Sequence, residues 1–98
     1  MMTSVSPGNM VLSFPNASRS FDSAKKRIRF WGYDTSIEIS FFIDVGALQE
    51  LDPVSADNEA ALLAAFDKAR DKIHVAADGM YMRDRGNSYA YTLTREDM

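Results

Sequence analysis

His74 is the only histidine in the chain, and Asp67, Asp71, His74 and Asp78 follow one another at three- and four-residue steps. On a helix that spacing puts three carboxylates and an imidazole on one ridge, a donor set suited to a divalent metal. Lys68 and Arg70 interrupt the acidic field, however, and no third converging ligand comes from another element. The same ridge is what a solvated helix face looks like, and that reading outweighs the metal one. A hydrolase would need Ser40 or Ser88 beside His74 and an acid. Neither serine sits in anything like a nucleophile elbow, so sheet surface and turn are their expected places.

The second candidate is "KKRIRFWGYD", residues 25–34, with four cations in five residues running into Phe30, Trp31 and Tyr33. Arginines and lysines interleaved with aromatics could form a platform for single-stranded nucleic acid, the rings stacking bases and the cations holding phosphates. The glycine–aromatic pattern of an RNA-recognition strand is missing. The plainer expectation is a strand surface on which Arg27 pairs with Asp22, Arg29 lies diagonal to Glu38, and Trp31 covers neighbouring stems. A third candidate is the cluster Met80, Tyr81, Met82, Tyr89 and Tyr91, which could line a ligand pocket but is more simply core and rim.

The elements that must position these residues follow from period and punctuation. "RIRF" and "SIEISFFID" alternate with period 2 and are rich in β-branched and aromatic residues. A two-residue turn at Asp34–Thr35 pairs Tyr33 with Ser36, Phe30 with Ile39 and Ile28 with Phe41. Ile28, Phe30, Ile37, Ile39 and Phe41 then share an apolar face. Arg27, Arg29, Trp31, Tyr33 and Phe42 share the other, with Ser36, Glu38 and Ser40. A hairpin closing at Ala24–Lys25 sets Phe21 beside Ile28 and Asp22 beside Arg27. Both hairpins bury the same face.

Asp44 is a suitable cap for a short helix over "VGALQEL". A long helix then starts at Asp52, with Pro53 in its first turn, or at Ser55. Leu62, Phe66, Ala69, Ile73 and Ala76 or Ala77 give it one apolar stripe, and Gly79 is a plausible stop. "MYMRDRGNSYAYTL" reads as a hairpin about Gly86–Asn87, pairing Met82 with Tyr91 and Met80 with Leu93. Thr94 can cap a final turn. The expected fold is α+β: an antiparallel β-meander packed on one long helix, with a short helix and a C-terminal β-hairpin. Residues 1–10 read as a loose tail and 11–98 as one α+β domain.

Ninety-eight residues suit one small domain, and 46% hydrophobic with 26% charged residues is globular chemistry. The net charge of −3 draws the chain to neither nucleic acid nor anionic lipid as a whole. Residues 1–33 nonetheless hold five cations against one acid, while residues 34–72 hold three against nine. With no cysteine, disulfides, thiolate zinc sites and cysteine nucleophiles are excluded. No signal peptide or membrane-length apolar run is visible, so a cytoplasmic protein without membrane association is the expectation.

Phe14-Pro15-Asn16, Ser20-Phe21-Asp22, Arg27 to Gly32 with Asp34, and Ile39-Ser40-Phe41-Phe42 with Ala47-Leu48 form a series. Phe66, Ile73 and Tyr91-Thr92-Leu93-Thr94 with Asp97 continue it. Over about residues 14–97 the chain resembles a family of short bacterial proteins, the domain of unknown function numbered fourteen-eighty-eight. The resemblance implies a small α+β fold in a cytoplasmic bacterial protein, and brings no catalytic residue, cofactor or substrate with it. What the residues favour is a non-enzymatic interaction module without metal or cofactor. Its expected contact surface is Arg27, Arg29, Trp31, Tyr33 and Phe42, its expected partner a second copy or another protein. A nucleic-acid accessory role for strand 25–33 is the alternative.

Overall fold

Alternation at period 2 becomes strand wherever one side of the run can be buried, and three consecutive runs do so in the computed structural model. It describes residues 10–15, 18–53 and 58–98. Strands β1 (Arg19–Asp22), β2 (Arg27–Asp34) and β3 (Ile37–Asp44) form the antiparallel meander, followed by helix α1 (Val45–Leu51). Helices α2 (Glu59–Lys68) and α3 (Arg70–Arg83), strand β4 (Ala90–Leu93) and a 3₁₀ turn at Arg95–Asp97 complete the chain. The four strands lie in the order β1-β2-β3-β4. The fold is α+β, with helices packed on one face of the sheet. Of the expected tail only Met10 is described; residues 1–9 lie outside the described residues.

The first hairpin has the expected register, Phe21 with Ile28 and Asp22 with Arg27. The second is shifted by two residues. Asp34 pairs with Ile37, Phe30 with Phe41 and Ile28 with Ile43, so the turn is Thr35–Ser36 rather than Asp34–Thr35. Thr35 takes φ 60° in that two-residue turn. An even shift keeps every side chain on its own face, with one correction at the turn. Ile37, expected in the core, is 47% exposed because it flanks the loop.

Asp44 caps α1 as its residue type implies, its carboxylate accepting from the Ala47 amide at 2.7 Å. Asn58 caps α2 in the same way, through the Ala61 amide. The start points at Asp52 and Ser55 are therefore replaced: Ser55 lies outside the described residues, and Asp52 closes α1 instead. The long helix is two segments, broken at Ala69 with φ −101° and ψ 12°. No glycine or proline marks that break.

Gly79 does not end the helix. Ile73, Ala77 and Tyr81 continue the buried stripe at four-residue steps, so burial carries α3 through the glycine to Arg83. The stop is at Arg85 and Gly86, both with positive φ. Met80 and Met82 are consequently helical and cannot form the first arm of a hairpin. β4 pairs instead in parallel with β3, Phe41 beside Tyr91 and Ile43 beside Leu93. Beyond it Thr94 meets Asp97, whose carboxylate accepts from the Thr94 amide at 2.8 Å.

The core lies between sheet and helices. Ile28, Phe30, Ile39, Phe41, Ile43 and Leu93 from the strands meet Leu48, Leu62, Phe66 and Ile73 from the helices, all 0–1% exposed. An N-terminal arm closes one edge. Leu12 is buried, Ser13 exchanges two backbone hydrogen bonds with Tyr33, and Phe14 packs against Phe30 and Phe41. Gly32 makes room for that arm: a Cβ there would stand 2.7 Å from the Phe14 ring.

Candidate functional site: the open face of the sheet

Because the helices take one face, the alternate residues of β2 and β3 are left on the other. Arg27, Arg29, Trp31 and Tyr33 stand opposite Asp44, Phe42, Ser40 and Glu38 respectively. Ser20 and Asp22 of β1 flank Arg29 and Arg27, while Ala90 and Thr92 of β4 flank Ser40 and Phe42. The five residues expected to form a surface, Arg27, Arg29, Trp31, Tyr33 and Phe42, are thus together, and all five are half-buried.

The arginines lie down across this face. The Arg27 guanidinium sits 3.7 Å from the centre of the Phe42 ring and 3.3 Å from the Asp22 carboxylate. The Lys25 amide and then Arg27 hold the Asp22 carboxyl below its ordinary range. Arg29 covers Trp31 at 4.9 Å, donates to the Ser40 hydroxyl at 3.1 Å and approaches Glu38 at 4.0 Å. Its Nε is buried without a hydrogen-bond partner among the described residues. Tyr33 donates to Glu38 at 3.4 Å, and with Trp31, Glu38 and Ser18 it rims a shallow depression of about 190 Å3. Stacked cations, rings and paired acids make a preorganised, mixed-charge surface. Ser40, weighed as a nucleophile, is here a hydrogen-bond acceptor for Arg29.

The histidine ridge is taken apart by its neighbours. His74 stacks on Phe14, ring centres 3.9 Å apart and planes within 6°. Burial, then the Arg70 charge, hold its imidazole down to about 4, against a smaller opposing pull from Asp71. Asp67 is engaged by Arg19 at 2.9 Å and also pairs with Arg70. Asp78 is buried and accepts from the Leu12 amide at 2.8 Å. Among the described residues no group of three or more potential metal ligands gathers.

The methionine–tyrosine cluster divides. Tyr81 is buried and donates to Asp34 at 2.6 Å, while Tyr91 donates to Asp84 at 2.6 Å. The Asp34 hydrogen bond, aided by burial, pushes the Tyr81 phenol up to about 12. Tyr89 is 69% exposed and Met82 52%. Ser88 donates its amide to Tyr91 and belongs to this turn. The Asp34–Tyr81 pair spans 47 residues of sequence and is invisible to any local pattern. The one available signal was that both Asp34 and Gly86 stand at turns.

Among the described residues no helix is long and apolar enough to cross a membrane. The comparison with curated proteins returned no match. The chain is similar to a crystal structure of a protein of unknown function from the DUF1488 family of Shewanella loihica PV-4. That likeness has a TM-score of 0.71 at 17% identity, covering 87% of this chain and 93% of the other. At that identity it bears on the fold alone. The family model for DUF1488, described as a protein of unknown function, matches residues 12–93. The arm from Leu12, the meander, the helices and β4 all fall within that span, and the chain belongs to the DUF1488 family.

Proposed function

We propose that this protein is a non-enzymatic interaction module that pairs with a second copy of itself through the open face of its sheet. The observation that carries the reading is the state of Trp31, Tyr33 and Phe42. They are half-buried on the uncovered face, and two of the three rings lie under guanidinium groups. Trp, Tyr and Arg are the residue types that dominate interface energetics, and here they are already ordered, which lowers the entropy lost on association. The face carries Arg27 and Arg29 beside Asp22, Glu38 and Asp44, so a twofold copy can set each sign against its opposite.

A nucleic-acid role for the same strand has less support, because Asp22 pairs with Arg27 and Glu38 stands 4.0 Å from Arg29, setting negative charge beside the cations that would hold phosphate. The family resemblance supports a bacterial, cytoplasmic setting. No catalytic role is assigned to any residue, and the module is taken to work without cofactor.

Sedimentation velocity at micromolar concentration tests the reading. The full chain is expected to sediment as a dimer, and Trp31→Ala to weaken the dimer by roughly tenfold or more. A monomer at all accessible concentrations rejects self-pairing. A salt-dependent shift on single-stranded RNA or DNA would move the assignment to the alternative.

A further inference from the structure

At one end of the sheet the β2–β3 turn meets the C-terminal end of α3 and the start of the N-terminal arm. Between them lies an open cavity of about 260 Å3 lined by Val11, Asp34, Tyr81, Met82, Arg85 and Gly86. It is separate from the open face, and its lining has three distinct chemistries.

One wall is acidic. Oδ2 of Asp34 accepts from the Tyr81 hydroxyl at 2.6 Å, and Oδ1 has no hydrogen-bond partner among the described residues. Arg85, also in the lining, is basic and, like Arg83, forms no ion pair or side-chain hydrogen bond among the described residues, in contrast to Arg19, Arg27, Arg29, Arg70 and Arg95. The third wall is apolar, made by Val11 at 49% exposure and Met82 at 52%, two of the large hydrophobics the fold leaves outside its core.

The backbone around the cavity is held in costly conformations. Thr35, next to Asp34, has φ 60°, a genuine outlier for a β-branched residue. Arg85, at the stop of α3, has φ 57°, while Gly86 beside it at φ 65° is in a region that glycine adopts freely. At Gly86 a Cβ would stand 2.9 Å from the Tyr81 hydroxyl, so the missing side chain is what lets that hydroxyl sit in the wall. Such strain concentrates where a ligand or switch needs it.

We infer that this cavity binds a small zwitterion with an apolar side chain, an α-amino acid of the leucine or methionine type. The ammonium meets Asp34 and the Tyr81 oxygen, the carboxylate meets Arg85, and the side chain covers Val11 and Met82. The volume supports this scale, since it falls just below the roughly 300–1,000 Å3 of sites for drug-sized ligands and cofactors. An open site gripping about nine heavy atoms implies a dissociation constant of about a millimolar.

The test is a titration of the full chain followed by the methyl resonances of Val11 and Met82. The probes are L-leucine, L-leucinamide, which lacks the anion, and N-acetyl-L-leucine, which lacks the cation. Leucine is expected to shift both methyls saturably, and each single-charge analogue to bind about tenfold more weakly or worse. Arg85→Asn removes the guanidinium while keeping a residue that tolerates positive φ. It is expected to weaken leucine about tenfold and to leave leucinamide unchanged. No saturable shift up to about 20 mM leucine overturns the site. So does equal binding of leucine and leucinamide, or leucine binding that survives Arg85→Asn.

Discussion

On one side of the sheet Ile28, Phe30, Ile39, Phe41 and Ile43 are 0–1% exposed, packed under three helices. On the other side of the same strands Arg27, Arg29, Trp31, Tyr33 and Phe42 are only half-buried, and no helix among the described residues lies over them. Both sides hold large rings. What separates them is how each ring is covered. Phe30 is enclosed by other apolar groups, including Phe41 at 5.4 Å and Phe66 at 5.3 Å. Trp31 and Phe42 are covered by the guanidinium groups of arginines whose side chains are themselves only partly buried. Burial under an arginine is reversible at small cost, burial under a helix is not. The first kind of surface can therefore be offered to a partner, while the second is spent on folding.

The largest effect that would break this contrast belongs to the covered side. Phe66 is fully buried against Phe30 and should cost about 3–5 kcal/mol when truncated to alanine. In a domain of this size that is enough to leave little folded protein. Chemical denaturation measures it. A loss below about 1 kcal/mol would mean that the helix layer does not hold the sheet.

Gly32→Ala should come next, at about 1–3 kcal/mol. Its new methyl would meet the Phe14 ring, which cannot easily retreat because Phe30, Phe41 and His74 surround it. Loss of the Phe14 contact should also loosen the arm, seen as faster amide exchange at Leu12 and Tyr33. Equal stability with protected amides would show that the arm is not clamped by fit.

The meander was legible in the sequence because period 2 exposes a strand's faces even when its register is misplaced by two. The choice between Asp34–Thr35 and Thr35–Ser36 as the turn was not, since either dipeptide fills a two-residue loop and the fold tolerates Thr35 at positive φ. The end of α3 lies beyond the expected Gly79 for a related reason. Gly79 and Gly86 carry the same local signal, and only the burial of Tyr81 decides between them. The parallel pairing of β4 left no mark in its four residues, because a partner strand some fifty positions away is a tertiary fact. The open-face residues were found by type and alternation, as was the Arg27–Asp22 pair. Glu38 is not diagonal to Arg29 as expected, because the two-residue shift sets it opposite Tyr33, and Arg29 approaches it only at 4.0 Å. The cavity beside Asp34 was legible only in part: Tyr81 and Met82 belong to the methionine–tyrosine cluster that could line a pocket, whereas Val11, Asp34, Arg85 and Gly86 join them from segments no local pattern connects.

His74 gives a third test, on pH. Its imidazole is held down to about 4 in the folded chain, against 6.5 in its absence, so the unfolded chain binds the extra proton. Stability from this group is complete above about 6.5 and is lost as pH falls towards 4. The expected loss is about 1–2 kcal/mol after allowing for the residue's partial exposure. His74→Phe should keep the stack on Phe14 and flatten the curve in that window. The losses at lower pH should persist, because Asp22 and Asp67 are held below the ordinary 3.8 and titrate there. A window unchanged in His74→Phe would place the titration elsewhere.

The smallest expected effect sharpens the contrast most. Arg29 stacks on Trp31 and reaches Ser40, yet its buried Nε has no partner among the described residues. A buried unpaired donor costs free energy comparable to what a partly exposed stacked cation contributes, so the two roughly offset. Arg29→Met replaces the guanidinium over Trp31 by an apolar chain of similar reach and removes that donor. The monomer's stability should move by less than about 1 kcal/mol, in either direction. If the open face is a contact surface, the same change should still weaken self-association, because the charge facing Glu38 and its copy is gone. Denaturation and sedimentation on one preparation separate the outcomes. A variant equally stable and equally dimeric would remove Arg29 from the interface, and one that unfolds would show that this arginine, like the phenylalanines behind it, is part of what holds the sheet.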